Sequence, residues 1–159
     1  MKEVSSKKLT EKLLKTLEML LARYNEYSRY LDYPGDWGER AFRGWAVFEI
    51  FHSCLGWPIK NIIFGERYDI LLVDDDIKPV VYLETKKPLR GLADLEDFEK
   101  RISSYQTLAY AILTDGYEWL KLDIVKKTKS KIKLKDDFSE WETFVKPLIA
   151  ASFLYGVDR

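Results

Sequence analysis

The chain reads as an α/β protein: a mixed β-sheet flanked by helices. Three observations predict this. Apolar residues recur at three- and four-residue spacing near both ends and again between about 94 and 110, as on amphipathic helices. Short runs rich in Val, Ile, Leu and Tyr occupy the middle, bounded by turn residues. One helical stretch divides those runs, and a strand–helix–strand crossover among hairpins makes a sheet with both parallel and antiparallel neighbours.

With 159 residues, 47% of them apolar and 14% aromatic, the chain is long enough for one domain with a substantial core. The first helix is predicted from Leu9, Leu13, Leu17, Leu20, Tyr24 and Tyr27, and the turn residues Asp32-Tyr33-Pro34-Gly35-Asp36 end it. A second, apolar on more than one side, runs from Trp37 or Gly38 to Leu55 and stops at Gly56-Trp57-Pro58. Strands follow over Asn61–Phe64, Tyr68–Val73 and Pro79–Lys86, the last two joined by the polar turn Asp74-Asp75-Asp76-Ile77-Lys78. Leu95, Phe98, Ile102, Tyr105 and Ala109 predict a helix from Asp94 to about Tyr110. Two more strands, Ala111–Thr114 and Trp119–Val125, meet at Asp115-Gly116, a strong turn dipeptide. The closing helix carries Trp141, Phe144, Val145, Leu148 and Ile149. Residues 1–36 read as an N-terminal helical extension, 37–125 as the core, and 126–159 as a Lys-rich strand and terminal helix.

Charge and cysteine usage narrow the function. With 26 basic and 26 acidic residues the net charge is zero, so any affinity for nucleic acid must come from local patches. The single cysteine, Cys54, excludes a disulfide framework and a cysteine-based zinc site. The start lacks the apolar stretch of a signal peptide and no apolar run can span a bilayer, so a cytoplasmic location without membrane contact is expected.

The chemistry is concentrated between Tyr68 and Pro88. Side chains alternate along a strand, so Glu84 and Lys86 share a face while Leu83 and Thr85 take the other. A carboxylate and an ammonium fixed within an apolar strand need compensation. A divalent metal with an anionic substrate supplies it, as does a simple salt bridge on a half-exposed strand. In the first case Asp69 and Glu84 bind Mg²⁺ (or Mn²⁺), with the backbone carbonyl of Thr85. Lys86 then orients or deprotonates the attacking water or stabilises the transition state.

The succession of a helix bearing a Glu, a strand with Asp69, a turn, a strand with Glu84-Thr85-Lys86 and a further helix resembles the PD-(D/E)xK nuclease superfamily. Glu84-Thr85-Lys86-Lys87-Pro88, followed by Gln106-Thr107-Leu108-Ala109-Tyr110 and by Ala111–Trp119, is similar to the N-terminal nuclease domain of type I restriction enzyme motor subunits. The resemblance covers residues 38–125. It implies a restriction-endonuclease-like core and a Mg²⁺-dependent DNA endonuclease. It also implies a Gln-x-x-x-Tyr element, Gln106 and Tyr110, on the helix after the catalytic strand, contacting phosphate or the carboxylates. A packed Tyr beside a surface Gln is the plainer alternative. The resemblance gives Glu39 a supporting place beside the metal, with Glu49 as its rival; the helix dipole alone also accounts for Glu39.

Lys87 is a further candidate phosphate contact. Lys129, Lys131 and Lys133 alternate with Ser130, Ile132 and Leu134, as on a strand with one cationic face. Such a row serves either to contact phosphates or to guard a sheet edge. The one histidine, His52, reads as a core or boundary residue. No Gly-x-x-x-x-Gly-Lys motif is present, so the ATP-driven motor of the resembled enzymes is absent from this chain. A homodimer, or a complex with specificity and motor partners, is the expected assembly. A non-catalytic nucleic-acid-binding or protein-interaction module on the same fold is the alternative.

Overall fold

The computed structural model describes residues 2–27, 44–65, 69–85 and 92–155. Helix α1 spans Lys2–Tyr27. Helix α2 covers 44–54, with a wide π-helical part over Glu49–Cys54. Six strands follow in one sheet: β1 Ile62–Phe64, β2 Asp69–Val73, β3 Pro79–Thr85, β4 Tyr110–Thr114, β5 Glu118–Asp123 and β6 Thr128–Lys133. Helix α3, Leu92–Ile102, lies between β3 and β4, and α4, Phe138–Val145, follows the sheet.

The sheet order is β1-β2-β3-β4-β5-β6. Only β3 and β4 run parallel, because only they are linked by a helix; the other neighbours are antiparallel. The mixed α/β class expected from the sequence is therefore the observed one.

Alternation along the strands sorts the sheet into two faces. Ile70, Leu72, Val81, Leu83, Ile112, Trp119 and Ile132 face a large core completed by Leu13, Leu17 and Leu20 of α1, Ile50 and Phe51 of α2, and Trp141, Phe144 and Val145 of α4. Tyr82, Ala111, Leu113 and Leu122 face the other way, onto Phe98 and Ile102 of α3. The result is three layers, with a heavier helical layer on one side. Residues near both ends of the chain form that layer, so the first and last helices are walls of the main core.

The three fully buried tryptophans have their indole N–H satisfied by backbone: Trp57 by the Leu148 carbonyl, Trp119 by Gly116 and Trp141 by Lys133. Gly56, at φ 78°, closes α2 in the left-handed region, where the Trp57 N–H reaches back to the Phe51 carbonyl at 3.0 Å. His52 is half-buried: Nδ1 donates to the Trp57 carbonyl at 2.7 Å and the ring leans on Phe48. It is the boundary residue that its apolar surroundings predict.

Two helix boundaries differ from expectation: α4 stops at Val145, leaving Leu148 in a 3₁₀ turn and Ile149 in extended backbone, and α3 stops short of Tyr110. Helix α3 ends at Ile102, eight residues before Tyr110. Ser103 and Ser104 turn their hydroxyls onto the carbonyls of Lys100 and Arg101, at 2.6 and 2.8 Å, and so satisfy the last turn of the helix. The chain then peels toward β3: Thr107 Oγ1 donates to the Pro79 carbonyl, and the Ala109 N–H to Val80. Tyr105 kept the helical period in sequence because it packs on the α3 layer, against the Tyr82 ring, where Leu108 is also buried. Among the described residues, no helix is long and apolar enough to cross a membrane.

Candidate active site

Strand β3 carries Glu84 near its C-terminal end, where β2 begins. The register sets Asp69 directly opposite Glu84, and opposite positions of an antiparallel ladder share a face of the sheet. Strand β4, parallel to β3, brings Leu113 to the far side of Glu84. A row of positions thus crosses the sheet on the α3 face: Asp69, Glu84, Leu113, Leu120 and Lys131.

Glu84 is 4% exposed. A carboxylate so deeply placed requires a cationic or hydrogen-bonding partner, and α3 provides one. The Arg101 Nη2 lies 2.7 Å from Glu84 Oε2, within an ion pair whose arginine side is 41% exposed. Arg101 sits one position before Ile102 and three after Phe98, the two residues that anchor α3 to the sheet, so packing of the helix delivers the guanidinium. The sequence reading missed Arg101. A cation near a buried Glu84 was foreseeable, yet Lys86, Lys87, Arg90, Lys100 and Arg101 all lie within 17 positions of it, and that Arg101 reaches it follows from the packing of α3.

Thr85 is buried in β3 and pairs in register with Thr114 of β4, on the face opposite Glu84. Its backbone carbonyl stands at the same end of the sheet as Asp69 and Glu84. Lys86, Lys87 and Glu39 lie outside the described residues, and of Asp69 only the backbone position is described. Among the described residues no group of three His, Cys, Asp or Glu side chains gathers in one place. Asp69 and Glu84 occupy opposed positions of adjacent strands, and carboxylate oxygens are the ligand chemistry that Mg²⁺ and Mn²⁺ take.

Gln106 and Tyr110 are not brought to this site, which corrects the expectation that they share one helical face. Gln106 is exposed in the loop after α3. Tyr110 opens β4 opposite Val81, on the face away from Glu84, and its ring packs with the larger core. Three positions along β3 separate Val81 from Glu84, roughly 10 Å at strand rise. Lys121 lies over the Tyr110 ring at 5.8 Å, and its ammonium donates to the Phe144 carbonyl at 2.6 Å, near the end of α4. Burial, with the Asp123 carboxylate second, raises the Tyr110 hydroxyl above its ordinary value. Burial lowers the Lys121 ammonium, against the opposing pull of Asp123. This pair is part of the packing.

The lysine strand is the outer edge of the sheet. Lys129 pairs with Glu99 of α3 at 2.9 Å and Lys131 with Glu118 of β5 at 2.6 Å, on partly exposed partners. Lys133 stands opposite Glu118 in the register. All three lie on the α3 face with Glu84, Lys131 three strands away, roughly 14 Å. Asp74 organises its turn, with Oδ1 accepting the N–H groups of Asp76 and Lys78.

No protein-family model, curated protein or solved structure matches this chain, so its carboxylate–arginine site stands on its own geometry.

Proposed function

We propose that the chain is a metal-dependent DNA endonuclease domain of the PD-(D/E)xK type, hydrolysing phosphodiester bonds. The observation that carries this reading is the register that sets Asp69 opposite a buried Glu84 where β2 begins and β3 ends. Two carboxylates at one position of adjacent strands make an expensive arrangement for a scaffold and a useful one for a hard cation. The parallel β3–α3–β4 unit beside them agrees with the same reading.

In this proposal Asp69 and Glu84, with the Thr85 carbonyl, hold Mg²⁺ or Mn²⁺, and Glu39 assists. The bound ion would acidify a water and neutralise charge on the phosphate. Lys86, two residues beyond Glu84 in sequence, would take a proton from that water or stabilise the developing charge. Glu84, packed under α3, keeps its carboxylate in place through a sheet hydrogen-bonded on both sides. Lys87 and the lysines of β6 offer phosphate contacts that carry no base specificity. A homodimer or a complex with specificity or motor partners would then supply double-strand cutting.

A second reading is a non-catalytic nucleic-acid-binding module on this fold. The Arg101–Glu84 ion pair favours it, because it satisfies the carboxylate without any metal. Cleavage of supercoiled plasmid and single-stranded DNA with Mg²⁺ or Mn²⁺ separates the two. Nicking that EDTA abolishes, and that Glu84→Gln, Asp69→Asn and Lys86→Ala each reduce by about 100-fold or more, is expected for the nuclease. Metal-independent DNA binding that survives Glu84→Gln, with no cleavage by folded wild type, would select the binding module.

A further inference from the structure

We propose that the cleft between α1 and α2 is an anion site that takes the terminal phosphate of a phosphomonoester, carried by a free nucleotide or by the phosphorylated end of a nucleic acid. The inference is independent of the nuclease reading, because these two helices pack on the face of the sheet opposite Glu84.

The cleft has a volume of about 490 Å³, and its lining among the described residues is Lys12, Lys15, Thr16, His52 and Ser53. Pockets of that size hold small organic ligands. Each of these side chains can donate a hydrogen bond to an oxyanion, and the two ammonium groups and a protonated imidazole do so with charge. No carboxylate is among them. Local structure explains why they converge. Lys12, Lys15 and Thr16 stand three and four positions apart and so share one side of α1, beside the buried stripe of Leu13, Leu17 and Leu20. His52 and Ser53 are consecutive, and both reach the cleft from the π-helical part of α2. Such wide turns are rare and recur at functional sites.

Thr16 is buried, His52 and Ser53 are half-buried, and the two lysines are exposed, so an arriving anion meets mobile ammonium groups first and fixed donors second. His52 is the most firmly held of these. Its Nδ1 donates to the Trp57 carbonyl at 2.7 Å, and its ring lies 4.7 Å from the Phe48 ring between centroids. With the hydrogen on Nδ1, Nε2 is the basic nitrogen, and a proton taken there becomes a donor for a phosphate oxygen. Thr16 Oγ1 accepts from the Cys54 thiol at 3.2 Å, which leaves its own hydrogen to give. The charged and titratable groups around His52 are Lys12 and Lys15 from α1, with Glu49 and Cys54 from its own helix. Glu49 and Lys12 act on the Cys54 thiol with opposite sign. Of these groups Glu49 opposes an anion, and it is not in the described lining. A phosphomonoester suits the set, since it brings three acceptor oxygens and close to two negative charges at neutral pH. A backbone phosphodiester brings one charge, and so does a carboxylate.

His52 is the one histidine of the chain, so its ring resonances report on the cleft without ambiguity. Inorganic phosphate titrated into the full chain, with ionic strength held constant by chloride, should shift them to saturation. Resonances unmoved up to about 10 mM phosphate would overturn the proposal. Lys12→Gln combined with Lys15→Gln, both at exposed positions, should weaken phosphate binding by about tenfold or more through lost charge-assisted contacts. An equal response from this double variant would overturn the site as well, because the shift would then be a general salt effect. A nucleoside monophosphate should bind at least as tightly as phosphate, and its parent nucleoside should leave the resonances unmoved. Equal binding of those two would take the phosphate out of the recognition and sink the proposal. An oligonucleotide with a phosphorylated end, compared with the same strand ending in a hydroxyl, identifies the source. Tighter binding of the phosphorylated strand by about tenfold or more, lost in the double variant, supports a nucleic-acid end. No difference between the strands, with the mononucleotide bound, supports a free nucleotide.

Discussion

At the scale of single residues, burial decides what each ionisable group does. Cys54 illustrates it outside the site. Its thiol donates to the Thr16 hydroxyl at 3.2 Å between α1 and α2. Burial holds it above its ordinary value of 9.0, with the Thr16 hydrogen bond acting against the rise, the Glu49 carboxylate adding to it and the Lys12 ammonium opposing it. Folded Cys54 therefore stays protonated where the unfolded chain has begun to ionise. Its contribution to stability is fully present below about pH 9 and is lost as pH rises from there through the folded value. Urea unfolding of wild type and Cys54→Ala from neutral pH upward should show a gap that is constant up to about pH 8.5 and narrows above about pH 9. A gap that widens there would reverse the sign of the burial effect.

At the scale of elements, the end of α3 matters most to the site. Had that helix continued to Tyr110, Gln106 and Tyr110 would have been neighbours on one face. Two serines stop it at Ile102, and Tyr110 enters β4 facing the other helical layer. Glu84 and Tyr110 are thus on opposite sides of the sheet, so in the proposed nuclease the phenolic hydroxyl lies away from the carboxylate positions. Tyr110→Phe should leave metal-dependent cleavage within about twofold of wild type, whereas loss of a phosphate hydrogen bond at the site would cost about tenfold or more. Plasmid-nicking rates compared at saturating Mg²⁺ decide between the two.

At the scale of the whole molecule, the sheet runs in simple sequence order, leaving β1 and β6 as its edges. Strand β6 exposes Lys129 and Lys131, each paired with a nearby glutamate. Exposed pairs of this kind contribute less than about 1 kcal/mol each. Their larger effect is to keep a second edge from pairing with this one. Lys129→Thr combined with Lys131→Thr should change the unfolding free energy by less than about 1 kcal/mol per replaced pair. The same variant should self-associate at concentrations where wild type does not, as light scattering would record. Unchanged association would leave phosphate contact as the use of that row.

The order of elements, the mixed sheet and the apolar faces of the helices were legible in the sequence, because side-chain period reports directly on which face is buried. So was the pairing of Asp69 with Glu84, since a short turn between two strands of known phase leaves few registers. Period could not end α3, because Tyr105, Leu108 and Ala109 stay apolar after the backbone has left the helix; Tyr105 and Leu108 pack on the α3 layer from an irregular segment. Nor could it choose Arg101. A buried carboxylate demands a cation, but that Arg101 reaches it depends on α3 packing across that face of the sheet. Local periodicity fixes burial one element at a time, whereas the partner of a buried charge is settled only when two elements meet.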